Sequence, residues 1–166
     1  MSIAESVARA SAYLTEHPDE ARYRDSAATA RIVDGLVVDV TGPTGERLRT
    51  DMPAGIGGTA SAPSPGWFLR AAIASCVASL IVVRAAATGV EIGAVEVEVD
   101  SESDDRGILG LDPTIPAGAL SARIAVRLSA PALADESRAE LLNWAVAHCP
   151  VSDSVARVVP MSVEVR

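Results

Sequence analysis

Pro65-Gly66-Trp67-Phe68-Leu69-Arg70-Ala71-Ala72-Ile73-Ala74-Ser75-Cys76 opens the most apolar run of the chain. Ser64, just before it, is a capping residue type. Pro65 suits a first helical turn, where its missing N–H needs no partner. Small and apolar residues continue to Thr88, and Gly89 supplies a stop. The pattern predicts one long helix, apolar nearly all round and therefore enclosed by protein. Its most apolar window, Trp67 to Val83, is 17 residues long and contains Arg70. That is short and charged for a bilayer span, so a core helix is expected and no membrane partner.

Upstream, residues 26 to 50 predict three short strands. Asp34-Gly35 and Gly42-Pro43-Thr44-Gly45 mark the turns between them. Residues 51 to 64 form a loop rich in Gly, Pro, Ser and Ala, within which Gly55-Ile56-Gly57-Gly58 lacks dinucleotide-binding spacing and predicts a flexible segment. Further upstream, Ile3, Val7, Ala10 and Leu14 recur at helical spacing, so residues 1 to 17 predict a separate amphipathic helix.

Downstream, Val95, Val97 and Val99 alternate with Glu96, Glu98 and Asp100, the pattern of a half-buried strand with an acidic outer face. Residues 121 to 130 predict a second strand, exposing Arg123 and Arg127 to pair with those acids. The loop of about 20 residues between them is long enough to be functional or mobile. Asp135 is a candidate cap for a helix bearing Leu141, Leu142, Ala145 and Val146, which Cys149-Pro150 breaks. A short helix through Ala156 follows, then a final strand over residues 158 to 165, at an edge because of Pro160. Segregated runs of helix and strand predict an α+β fold in a single domain, 1–166.

The 166 residues carry a net charge of -8, which disfavours a phosphate backbone and predicts no nucleic-acid partner. All 14 basic residues are arginine, which excludes Walker A and Schiff-base chemistry. The N-terminus has no basic region followed by an apolar block, so a soluble, cytoplasmic protein is expected. Cys76, His148 and Cys149 make at most three metal ligands, one short of a closed zinc site, so no metal and no cofactor is expected.

Two cysteines then remain as candidate chemistry. A redox pair and two small buried hydrophobes are both open readings. Cys76 has Ala72, Ile73, Ser79 and Leu80 as helical neighbours, and it lies beyond the reach of the helix dipole. It needs a cation from elsewhere, and Arg47 and Arg49 are candidates. Cys149, if Pro150 starts a helix, sits at a cap whose free N–H groups favour a thiolate. Local physics therefore names Cys149 the more acidic thiol.

The two cysteine segments together resemble the OsmC/Ohr family of thiol-dependent peroxidases. The likeness lies in the proline-initiated helix whose small residues lead to Cys76 and in the helix followed by Cys149-Pro150-Val151-Ser152. Gly57-Gly58 and Arg106-Gly107-Ile108-Leu109-Gly110-Leu111 add to it, and together it covers residues 26–166. The resemblance implies antiparallel sheets around a long buried central helix, in an intertwined homodimer with its active sites at the interface. It implies that Cys76 attacks an organic hydroperoxide, that Cys149 resolves the sulfenic acid as a disulfide, and that a dithiol reductant reopens it. Arg49 is the nominated thiolate-activating residue. One position departs from the pattern: Gly66 stands where the family's peroxidases carry the glutamate that orders their arginine. That departure gives weight to an alternative, a non-catalytic or weakly active protein of the same fold that binds a hydrophobic small molecule or senses redox state.

Overall fold

A computed structural model describes residues 1–165. In chain order its helices and strands are α1 (Ile3–Glu16), β1 (Thr29–Asp34), β2 (Val37–Thr41), β3 (Arg47–Thr50), α2 (Pro65–Thr88), β4 (Val95–Glu102), α3 (Asp105–Ile108), β5 (Ser121–Leu128), α4 (Asp135–Ala147) and α5 (Pro150–Ala156). The chain divides into two compact units, one spanning Ala10–Leu69, the other joining Met1–Arg9 to the chain from Arg70 onward.

In the first unit, β1, β2 and β3 form an antiparallel meander. Gly35, at φ 52°, makes the first turn as the Asp-Gly signal requires. The segment after β3 is more organised than its composition suggests. Asp51, 1% exposed, gathers it. Its Oδ2 accepts hydrogen bonds from the amide and hydroxyl of Thr59 (3.1 and 2.6 Å) and of Ser61 (2.9 Å each). Its Oδ1 accepts from the Met52 amide (2.7 Å). These bonds hold Ala60 at φ 52°, a left-handed conformation that alanine rarely adopts. Gly58 sits so close to Met52 that a Cβ there would lie 1.8 Å from the Met52 carbonyl oxygen. A buried carboxylate with this many donors is satisfied without a cation.

In the second unit, β4 and β5 pair antiparallel, with Glu96 opposite Arg127 and Asp100 opposite Arg123. Arg127 reaches Glu96 at 2.5 Å, and Arg123 binds Asp100. The inner face, Val95, Val97, Val99, Ile124, Val126 and Leu128, packs on the core. That core is an interleaving of two helices. Ile73, Val77, Ile81 and Ala85 form one four-residue ridge on α2; Leu141, Ala145 and Cys149 form the other. Ile81, Val77, Ala145 and Cys149 are wholly inaccessible.

The helix α2 is not enclosed all round within one chain, as its composition predicted. It buries one ridge, and Trp67 and Leu69 remain 48% and 45% exposed. By length and composition alone it is long and apolar enough to cross a membrane. The helix start is as read: Ser64 Oγ accepts the Trp67 amide at 3.2 Å. Asp135, in contrast, does not cap α4; Ala134 holds the cap position without a side-chain bond, and Asp135 lies inside the first turn.

The expected strand over 158–165 does not form, because no described strand pairs with it. Val158, Met161, Val163 and Val165 are over 90% exposed. The β4–β5 connection is built rather than loose. Asp104 caps α3, Leu111 N–H donates to Arg106 O (2.9 Å), and Gly107 lies against Pro116.

Candidate active site

Two helices meet at Cys149. The C-cap of α4 is His148, and the next residue is already the N-cap of α5, because Pro150 cannot donate to the helix behind it and starts a new one. The joint is closed by Cys149 N–H to Val146 O (3.3 Å) and Asp153 N–H to Cys149 O (2.9 Å). With its backbone committed, Cys149 caps α5 through sulfur: Sγ accepts the Ser152 amide at 3.4 Å. The Ser152 hydroxyl ties the same turn to Val146 O at 3.0 Å.

Cys76 reaches this joint from α2. It is half-buried against the cluster that contains Cys149, close enough for each thiol to shift the acidity of the other. Both are free thiols. The two candidate cysteines thus lie on one cluster within one unit.

Their electrostatics are opposite. Burial pushes the Cys76 thiol up, and the neighbouring Cys149 thiol pushes it further, against an opposing pull from the Val151 amide. Burial also acts to raise Cys149, but the Ser152 hydroxyl and amide, the Cys76 thiol and the Val151 amide outweigh it, so Cys149 is held below the usual thiol value. Among the described residues of this unit, no arginine or histidine is one of the groups that shift either thiol. The ranking agrees with the local sequence argument for Cys149.

Arg49 belongs to the other unit. On β3, it faces its cross-strand partner Asp39 and forms a two-pronged ion pair with it (2.6 and 2.9 Å). Both residues are about half-exposed, and Arg49 holds the Asp39 carboxyl below its ordinary range. Gly66 brings no side chain to the start of α2.

The free cap amides were anticipated from the sequence, but Ser152 and Val151 were not named as supplying them, nor was the Ser152 hydroxyl. Their signal was present, since residues two and three past a helix cap carry the free amides. A column-like cluster beside the joint was also missed: Arg84 lies 4.8 Å from the Trp144 ring centre, and His148 stacks on the same ring at 4.1 Å. Such a column needs tertiary placement of α2 against α4. Among the described residues, no group of three or more His, Cys, Asp or Glu is placed to hold a metal ion.

The family model for OsmC-like protein matches residues 58–164, and the chain belongs to that family. Solved structures share the fold. An OsmC-like protein from Mycoplasma pneumoniae aligns with a TM-score of 0.69 at 14% identity, covering 82% of this chain and 91% of its own. An organic hydroperoxide resistance protein OsmC from Legionella pneumophila gives 0.60 at 20%, covering 81% and 90%. The organic hydroperoxide resistance protein OhrB of Bacillus subtilis gives 0.52 at 22%, covering 80% and 90%. A sequence comparison with curated proteins finds no match.

Proposed function

We propose that this protein reduces organic hydroperoxides through Cys76 and Cys149, as a cytoplasmic homodimer whose family core acts as one domain. The observation that carries the proposal is that two free thiols lie on one buried cluster, each shifting the acidity of the other. Half-buried Cys76 attacks the O–O bond, releases an alcohol and becomes a sulfenic acid. Cys149, buried beside it, condenses with that acid to a disulfide and releases water. An external dithiol restores both thiols and is itself oxidised to a disulfide. Family membership and the hydroperoxide-resistance names of two structural relatives support the substrate class. A second copy packed on the uncovered side of α2 supplies the enclosure that one chain lacks.

The test is turnover of cumene hydroperoxide by reduced protein with a dithiol. The expected result is steady consumption, lost in Cys76→Ser. Absence of turnover, together with absence of a dimedone-trapped sulfenate at Cys76, refutes the proposal.

Gly66 and the Arg49–Asp39 ion pair favour a second reading, in which the pair senses redox state or the fold binds an apolar small molecule. Native mass spectrometry separates the two. A co-purifying ligand supports the second reading, and a reducible loss of two hydrogens supports the redox pair.

A further inference from the structure

We infer that Trp144 is a positioning residue for disulfide closure: its ring and carbonyl hold His148, and through it set the Cys149 turn against the helix that carries Cys76. The inference rests on the peroxidase reading and adds to it what aims the second thiol.

The joint between α4 and α5 needs such a hold. Pro150 has no N–H to give to the end of α4, so that helix stops there. His148, at φ -104° and ψ 5°, has already left helical torsions, and Cys149 follows in extended ones, at φ -75° and ψ 112°. A rotation about the His148 backbone therefore swings the Cys149 sulfur. A disulfide tolerates little of that swing, because its Cα atoms must lie within about 7 Å and its dihedral near about 90°.

Trp144 restrains His148 in three ways. Its carbonyl accepts the His148 amide at 3.0 Å and meets the ring Nδ1 at 2.8 Å. A carbonyl only accepts, which assigns the ring proton to Nδ1. The indole also stacks on the imidazole, with ring centres 4.1 Å apart and planes 13° from parallel.

Trp144 is in turn tied to α2. Leu141 and Ala145, on either side of it along α4, are buried in one cluster with Ile81 and Ala85. Arg84, next to Ala85, lays its guanidinium 4.8 Å from the indole centre, a cation–π contact. Cys76 lies about two turns earlier on the same helix, roughly 12 Å by helix rise. The indole thus links the residue before one cysteine to the helix that bears the other. Ser152 holds the turn from the α5 side, through its amide to the Cys149 sulfur and its hydroxyl to Val146 O.

The stack bears on one step only. Attack on the hydroperoxide needs the Cys76 sulfur, and neither Arg84 nor His148 is among the groups that shift the Cys76 thiol. Closure needs the Cys149 sulfur brought onto Cys76. The Cys149 sulfur attacks the sulfenic sulfur, the S–S bond forms, and the Cys149 proton leaves with the sulfenic hydroxyl as water.

The test is oxidation of the reduced protein by one equivalent of cumene hydroperoxide, followed in time. Dimedone trapping reads the Cys76 sulfenate, and a reducible loss of two hydrogens reads the disulfide. Wild type is compared with Trp144→Ala, Trp144→Phe and His148→Ala; His148 is exposed, so its variant carries the test where Trp144→Ala does not fold. The expected result is an unchanged rate of Cys76 oxidation, with closure slower by about 10- to 100-fold in the alanine variants and sulfenate accumulating, up to the loss that a displacement of about 1 Å brings. Trp144→Phe keeps a stacking ring and restores closure to within about threefold of wild type. Closure at the wild-type rate in either alanine variant, equal slowing of both steps, or a Trp144→Phe variant as slow as Trp144→Ala overturns the inference and leaves the peroxidase reading intact. Wild type that stops at the sulfenate overturns the inference together with the resolving role of Cys149. Wild type that forms neither sulfenate nor disulfide overturns the inference and the peroxidase reading alike.

Discussion

Replacing Ile81 by alanine tests the packing that holds the thiols together. Ile81 is 0% exposed and belongs to the same cluster as Cys149. The change removes three carbons, about 2.4 kcal/mol of transfer free energy at ~0.8 per carbon. The cavity left between two interleaved helices adds to that, for a total of about 3 to 4 kcal/mol. Ile81→Val removes one carbon and costs about 1 kcal/mol. With a urea slope of about 2 kcal/mol/M, the alanine midpoint falls by roughly 1.5 to 2 M and the valine midpoint by about 0.5 M. The assay is urea unfolding of the reduced protein at one fixed concentration, since association would shift the apparent stability. An alanine variant within about 1 kcal/mol of wild type refutes the argument, because no filled core position tolerates that loss.

Asp51→Asn leaves a neutral group facing amides that now hold a carboxylate, and it is expected to open the 51–63 segment to limited proteolysis while β1 to β3 persist. Thr59 and Ser61 hold the Asp51 carboxyl well below its ordinary range, against an opposing effect of burial. A depressed carboxylate contributes stability that is present above the unfolded value of about 3.9 and is lost as pH falls through the folded one. Protection of this segment in wild type therefore holds at neutral pH and fades only in strong acid; equal cleavage of variant and wild type refutes the assignment. Gly107→Ala places a Cβ 2.2 Å from the Pro116 carbonyl oxygen and 3.1 Å from Ala117 Cα, both backbone atoms. The connection must shift, at a cost of about 1 to 3 kcal/mol, and exchange of the Leu111 amide is the measurement that detects it.

The fold was legible where pattern and partner lie in the same chain. The valine alternation of β4 needed only β5, and the arginines at 123 and 127 found acids in register. Ser64-Pro65 announced α2 by a local rule, and Cys149-Pro150 announced the α4–α5 joint by another. Illegible were features whose partners are distant or missing. Residues 158 to 165 have strand composition but no described strand pairs with them, so propensity alone does not form a ladder. The glycine-rich loop read as flexible because nothing local reveals that Asp51 collects donors eight and ten positions away. At the candidate site, the sequence named both cysteines and placed Cys149 as the more acidic. Their placement on one buried cluster, and the ion pair that occupies Arg49, came only from the tertiary arrangement.

Because α5 is capped by a sulfur rather than by an oxygen, the state of that one atom is written into the backbone around it. A covalent change at Cys149 alters the acceptor on which the first turn of α5 closes, and it is expected to shift the amide resonances of Val151 and Ser152. A reader of that turn, whether spectroscopic or macromolecular, learns the oxidation state without ever reaching the sulfur.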